Sequence, residues 1–180
     1  MDACWRVTSG EQDPRTVARL LRSLPDWFGI PAANSAYVAA ARELPTYLAR
    51  QAQDELADPV GVLLARRHFA EAAEIHLLAV EPKLHRHGVG RALVTALEAD
   101  LIADGCRVLQ VKTLGPSKPH AGYERTRQFY TSLGFWPLEE IPLWGPGNPC
   151  LILVKDLAQT SGERRSHPGM QRGSPGDGAW

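Results

Sequence analysis

Two side chains that can accept a proton stand two residues apart in the apolar stretch from residue 74 to residue 80. The alternation of this stretch predicts a strand and places four residues on one face: Glu74, His76, Leu78 and Val80. A carboxylate or an imidazole there could serve as general base, and the histidine could also relay a proton. We expect a partly apolar cleft to raise the pKa of Glu74 toward the working range of a base. The residues leave open a solvated Glu74 at a strand start and a packing role for His76.

Tyr130 is a candidate for the opposite task, which is to hydrogen-bond or protonate a departing anion. It lies in a helical pattern, from residue 124 to residue 133, that Gly134 ends. A phenol keeps its proton at neutral pH because its ordinary pKa is near 10. The alternative is a core tyrosine whose hydroxyl reaches the surface.

A glycine loop follows the predicted strand and leads into a helix. Gly88 and Gly90 lack a β-carbon, so an anion can approach the main chain there. The first amides of a helix have no intrahelical acceptor and carry partial positive charge, which suits a pyrophosphate. The Walker pattern and the dinucleotide fingerprint do not fit, because the first lacks its Gly-Lys-Ser/Thr ending and the second has Leu93 in place of a glycine. A tight connection between strand and helix is the other explanation.

The loop resembles the acetyl-CoA loop of the GNAT superfamily of N-acetyltransferases. That pattern is Gln or Arg, two residues, Gly, one residue, then Gly or Ala, and His85 stands in the Gln/Arg place. The segment from Phe129 to Phe135 is similar to the Phe-Tyr-x-x-x-Gly-Phe helix and turn of the superfamily. Tyr123 stands where relatives often have Asn.

The resemblance implies acetyl-CoA as co-substrate, with no metal. It implies that Glu74 is the base, with His76 as its alternative or relay, and that the phenol of Tyr130 faces the CoA sulfur. The predicted cofactor contacts are Leu78, Ala79, Val80, His85, Arg86, His87, Gly88, Val89, Gly90, Arg91, Tyr123 and Arg127. The predicted acceptor-binding residues are Trp27, Phe28 and Trp144, and a lid over the core is the alternative for the first two.

The implied reaction is direct attack of a primary amine on acetyl-CoA. A small-molecule acceptor is favoured because the charge-balanced chain offers no broad acidic groove for a lysine-rich tail. Two alternatives stay open: a protein lysine or N-terminal acetyltransferase, and a non-catalytic acyl-CoA-binding regulatory module. A homodimer is compatible with the resemblance.

The elements that must position these residues alternate along the chain. Strands are predicted at 5–8, 47–51, 60–68, 74–80, 107–113, 135–141 and 150–155, and helices at 14–24, 31–44, 89–101 and 124–133. The order predicts an α/β (α+β) fold of GNAT type. Its mixed, mostly antiparallel twisted sheet of about six or seven strands is flanked by about four helices.

Bulk composition limits the classes of partner. Lysine plus arginine and aspartate plus glutamate number 20 each, so no net field favours nucleic acid or a membrane surface. Three dispersed cysteines and an N-terminus without a signal pattern lead us to expect a cytoplasmic, soluble protein. We expect one domain, residues 1–157, and a disordered Gly/Pro/Arg-rich tail, residues 158–180.

Overall fold

The computed structural model describes residues 5–54 and 56–158, so the predicted tail lies outside the described residues from position 159 onward. The elements in chain order are β1 (Trp5–Ser9), α1 (Pro14–Arg22), α2 (Pro31–Ala40), β2 (Thr46–Gln51), β3 (Gly61–Phe69), β4 (Ala72–Val80), a 3₁₀ turn (Pro82–Leu84), α3 (Val89–Ala103), β5 (Val108–Leu114), α4 (Ala121–Ser132), β6 (Trp136–Ile141) and β7 (Cys150–Asp156). The predicted mixed sheet with four helices is confirmed. Within the described ranges, no helix has the length and apolar character needed to cross a membrane.

The seven strands form one sheet in the order β1-β2-β3-β4-β5-β7-β6. Every neighbouring pair is antiparallel except β4 and β5, which run parallel. A parallel pair needs a long crossover, and α3 supplies it between β4 and β5. The glycine loop therefore lies at the end of β4, beside the parallel pair.

Helices cover both faces of the sheet. On one face, α1 packs its buried leucines against β2, β3 and β4, and Tyr37 and Val38 of α2 join this core. On the other face, α3 and residues at the end of α4 pack against strands β2 to β5 and β7. The sheet separates the two cores, so a gap between two of its strands would connect one face with the other.

Two helix boundaries differ from the sequence prediction. Helix α2 ends at Ala40 rather than Leu44, because the N–H groups of Arg42 and Glu43 donate to carbonyls three residues back and Pro45 prevents continuation. Helix α4 begins at Ala121, three residues early, where the ring of His120 accepts a hydrogen bond from the N–H of Tyr123. A histidine in this capping place is not among the usual start signals.

A β-bulge in β4 changes the predicted alternation. Leu64 pairs with Leu77 and Ala65 pairs with Ile75, which leaves His76 as the extra residue. Before the bulge, Ala73 and Ile75 belong to the core on the α3 side, whereas after it Leu77 and Ala79 belong to the core on the α1 side. The prediction that Glu74 and His76 share a face with Leu78 and Val80 is therefore wrong, because the inserted residue inverts the alternation.

The strands β4 and β5 separate after a short paired stretch. Their ladder ends at Ile75 and Val111, while β5 continues to pair with β7 as far as Leu114. From His76 to Val80, β4 has no ladder partner from β5. The main-chain groups on that side of β4 are therefore available to a ligand that enters between the strands.

Candidate active site

A cavity of about 460 Å³ occupies the gap between β4 and β5. It is bounded by both strands, the start of α3, one side of α4 and the segment that joins α1 to α2. The predicted site residues that line it are Trp27, Phe28, His76, Leu78, Ala79, Val80, His85, Arg86, Gly88, Gly90, Arg91, Tyr123, Tyr130 and Trp144. Residues far apart in the sequence thus meet around one opening.

The glycine loop presents unpaired main-chain donors to this cavity. Gly88 has a φ of 85° and caps α3, and Arg86 has a φ of 68°, so the loop depends on left-handed backbone at two positions. The first hydrogen bond of α3 runs from the N–H of Ala92 to the carbonyl of Gly88. The N–H groups of the first three helical residues precede that bond and are oriented for an anion.

Neighbouring side chains hold the loop in place. The indole of Trp5 donates to the carbonyl of His87 at 2.7 Å. The ring of His85 lies 2.9 Å from the carbonyl oxygen of Val80 and contacts the indole of Trp27 edge-on, with centroids 5.7 Å apart. The side chain in the Gln/Arg place of the family pattern therefore ties the loop to the end of β4.

Glu74 lies in a buried polar cluster rather than on the cavity wall. Its side chain is 8% exposed, and its Oε2 accepts hydrogen bonds from Lys112 Nζ at 2.6 Å and Gln110 Nε2 at 3.1 Å and lies 2.7 Å from His68 Nε2. Burial alone would raise the pKa of Glu74, but its polar contacts with His76, Lys112 and His68 outweigh burial and hold the pKa well below the ordinary range. The expectation of a raised pKa is wrong because the cleft around this carboxylate is polar and cationic.

His76 lies between this cluster and the cavity. Its Nδ1 is 3.9 Å from Glu74 Oε1, and its ring contacts Tyr37 of α2 with centroids 5.4 Å apart. The bulge turns the imidazole toward the α1 side, where it lines the cavity. Of the two candidate bases, His76 is the one a ligand in the cavity can reach.

Tyr130 lies across the cavity on α4. Its residue is 4% exposed, and its ring packs edge-on against Phe129 and Phe135. Burial is the main cause that raises the pKa of Tyr130 above its ordinary value, so the phenol stays protonated at neutral pH. A protonated phenol at a cavity wall can donate a hydrogen bond to an anion that forms there.

The family model for an acetyltransferase (GNAT) domain matches residues 43–137, just over half of the chain. The chain belongs to the GNAT family of acetyltransferases. The resemblance inferred from the sequence and the enzyme class, acyltransferase, are thereby confirmed.

Solved structures of GNAT proteins share the fold at low sequence identity. An acetyltransferase of the GNAT family from Desulfovibrio desulfuricans is 21% identical with a TM-score of 0.71, over 86% of this chain and 98% of that one. The ribosomal-protein-S18-alanine N-acetyltransferase from Escherichia coli is 18% identical with a TM-score of 0.67, over 91% and 100%. An aminoglycoside 6'-N-acetyltransferase complexed with coenzyme A is 18% identical with a TM-score of 0.63, over 84% and 97%. No curated relative matches the sequence.

Four predicted GNAT site residues lie off the cavity wall. Besides Glu74 these are His87, Val89 and Arg127. Val89 is buried in the core beside Gly61, and the guanidinium of Arg127 donates to the carbonyl of Leu114 at 2.8 Å. The guanidinium of Arg127 therefore stabilises the end of β5, and Arg127 is not among the residues that line the cavity.

Several residues that the sequence analysis did not select also line the cavity, among them Tyr37, Lys112 and Thr113. The hydroxyl of Thr113 is buried and has no hydrogen-bond partner within the part of the chain that the structure describes. Tyr37 was recognised only as a helical residue, and Lys112 and Thr113 only as strand residues. The place of Lys112 and Thr113 beside the gap between β4 and β5 depends on strand register, which no local pattern reveals.

Proposed function

We propose that this GNAT protein transfers the acetyl group of acetyl-CoA to the primary amine of a small molecule. The observation that carries the proposal is a single cavity that joins the donor-rich start of α3 to both His76 and Tyr130 through the gap between β4 and β5. One elongated ligand could therefore place its diphosphate at the helix and its reactive end between the two side chains.

The residues around the cavity fit such a co-substrate. The N–H groups of Val89, Gly90 and Arg91 would receive the diphosphate, with the arginine adding positive charge. The open edge of β4 after Ile75 would pair with the amides of the pantetheine arm. A ligand could also satisfy the buried hydroxyl of Thr113, whose lack of a partner costs about 1–3 kcal/mol.

We assign the general base to His76 and give Glu74 the task of positioning it. A base works best when its pKa is near the operating pH, and the depressed pKa of Glu74 makes its carboxylate a weak proton acceptor. The carboxylate lies 3.9 Å from Nδ1 of the imidazole and is not among the residues that line the cavity, so it can orient the ring without contacting the ligand. His76 is therefore the group that takes the proton of the attacking amine.

Tyr130 acts on the leaving group. Its raised pKa makes complete transfer of the phenolic proton to a thiolate unfavourable, because an ordinary thiol has a pKa near 8.5. The phenol therefore stabilises the departing sulfur by hydrogen bonding.

The proposed reaction balances without another reactant. The neutral amine nitrogen forms a bond to the thioester carbon, the carbon–sulfur bond breaks, and the electron pair leaves with sulfur. The proton of the new amide nitrogen goes to His76 and then to solvent, from which the thiolate is protonated.

We propose that the protein works in the cytoplasm. Cys106 and Cys150 are free thiols, which agrees with a reducing compartment.

A coupled assay tests the proposal. Release of free thiol from acetyl-CoA is followed with a panel of small amines, and the acetylated amine is identified by mass spectrometry. We expect thiol release to depend on the amine and to match the amide formed mole for mole. Thiol release without any N-acetylated product would contradict amine transfer.

A further inference from the structure

Besides the aromatic residues of α4, four tryptophan, phenylalanine and tyrosine side chains line the cavity. Trp27 and Phe28 come from the segment between α1 and α2, Tyr37 comes from α2, and Trp144 comes from the loop between β6 and β7. We refer to these four residues as the aromatic wall. Phe28 packs edge-on against Tyr37 at 6.0 Å, and Tyr37 in turn contacts His76. The wall therefore leads directly to the proposed base.

The aromatic wall is held in place by α4. The indole nitrogen of Trp27 donates to Thr126 Oγ1 at 3.2 Å, and the hydroxyl of Tyr123 donates to the carbonyl of Trp27 at 2.8 Å. Gly122 permits this approach, since a β-carbon there would lie 3.1 Å from the indole ring. Fixed rings of this kind offer an apolar surface at little conformational cost.

The charges around the cavity are positive. Among the described residues that line it, the charged side chains are Arg86, Arg91, Lys112 and Arg125, with no carboxylate among them. The carboxylate nearest the base, that of Glu74, is buried and already paired with Lys112. A second positive charge on a bound acceptor would lose its water without gaining an ionic partner.

We propose that the acceptor is an amine attached to an apolar, aromatic body with no second positive charge. This inference rests on the proposed function and specifies its substrate class. The aromatic body lies against the aromatic wall, and the reacting amine reaches His76. Polyamines and aminoglycosides are excluded by the same arrangement, because the further ammonium groups that each carries would meet no carboxylate among the described residues that line the cavity.

The test compares two amines that differ by one charge. The probes are 2-phenylethylamine and its analogue with an aminomethyl group in the para position, with a polyamine and an aminoglycoside as further acceptors. We expect kcat/KM for 2-phenylethylamine to exceed that of the doubly charged analogue by about 30-fold or more, since discrimination against an unpaired buried charge is strong. A polycation with the higher kcat/KM would overturn the inference.

A pair of variants locates the effect on the aromatic wall. Trp144 is 42% exposed, so its replacement should leave the fold intact. Trp144→Glu supplies the missing carboxylate and should shift the kcat/KM ratio toward the doubly charged amine, whereas Trp144→Leu should lower activity on the aromatic amine without that shift. The same ratio in both variants would overturn the placement of the acceptor.

Calorimetry with coenzyme A separates this inference from the proposed function. If the protein binds coenzyme A and acetylates polycations in preference, the acceptor class is wrong and acetyl transfer stands. If it binds coenzyme A and no singly charged amine stimulates thiol release, the acceptor class is again wrong. If it does not bind coenzyme A at all, the proposed function fails, and the inference fails because it rests on that function.

Discussion

His76 owes its position to one inserted residue in β4 and to a carboxylate behind it. The imidazole faces the cavity while Glu74, 3.9 Å away, is enclosed by Lys112 and His68. Sequence reasoning found both candidate bases because their residue types and spacing are visible in the chain. It misjudged the environment of Glu74, since its polar neighbours come from β3 and β5 and are brought close only by the sheet.

We predict that His76→Gln lowers kcat/KM by about 10²-fold, because an unprotonated base is needed to accept the proton of the amine. Steady-state rates at one pH, measured beside thermal unfolding of both proteins, test this prediction.

His68→Gln is the matched control, since His68 also touches Glu74 but is not among the residues that line the cavity. It should keep most of the wild-type kcat/KM. Glu74→Gln should lose less activity than His76→Gln; a larger loss in Glu74→Gln, with the fold intact, would return the role of base to the carboxylate.

Tyr130→Phe should lower kcat by about 10²-fold, the typical effect of removing one donor to a developing anion. The ring and its packing against Phe129 and Phe135 are retained, so the Kd for coenzyme A should not change. Turnover and calorimetry on the same preparation separate the two quantities. Tyr47→Phe removes a buried hydroxyl that bonds to Asp100 and should leave kcat unchanged; equal losses in both variants would indicate a structural effect.

At the scale of elements, the site depends on three features of β4: the glycine loop that follows it, its bulge against β3 and its separation from β5. The glycine loop was predictable, because its pattern is local and every residue lies within one strand-to-helix connection. The bulge at His76 and the separation of β4 from β5 were not, since each depends on the register of β4 against a neighbouring strand, β3 for the bulge and β5 for the separation. The prediction of the strand was therefore correct, but the prediction that Leu78 lies on the same face as Glu74 was wrong.

The role of the glycine loop in binding coenzyme A can be tested by comparing Gly88 with Gly105, a glycine of similar backbone conformation outside the loop. Gly88 and Gly105 have φ values of 85° and 74°, and an added β-carbon at either site meets no atom closer than 3.8 Å. Gly88→Ala and Gly105→Ala should each destabilise the fold by about 1 kcal/mol, the cost of a left-handed β-carbon. Only Gly88→Ala should raise the Kd for coenzyme A, as measured by calorimetry beside thermal unfolding. Equal affinity in both variants would contradict the assignment of the loop.

At the scale of the whole molecule, the fold class and the order of elements were predictable because hydrophobic periodicity and turn residues mark each element. The seven-stranded sheet and its four helices follow that order. The polar cluster around Glu74 could not be predicted, since Glu74 of β4 meets Lys112 of β5 and His68 of β3 only after the strands pair.

This cluster should make the stability of the protein sensitive to acid. The pKa of Glu74 is lowered in the folded state from an ordinary value of 4.5, so its stabilisation is complete above that value and is lost as the pH falls toward the folded-state pKa. Glu74→Gln should cost about 1–3 kcal/mol at pH 7, because it leaves Lys112 and His68 without an ionised partner. Urea unfolding should show this difference shrink below about pH 4.5. A constant difference down to pH 3 would show that the cluster does not stabilise the fold through this carboxylate.

The most direct test of the account is calorimetric titration of the wild-type protein with coenzyme A, since both the catalytic assignments and the acceptor class assume that the gap between β4 and β5 receives this molecule. We predict one site per chain with a Kd below about 1 mM, equivalent to at least about 4 kcal/mol of binding free energy. The absence of heat or saturation with millimolar coenzyme A and acetyl-CoA would contradict the account.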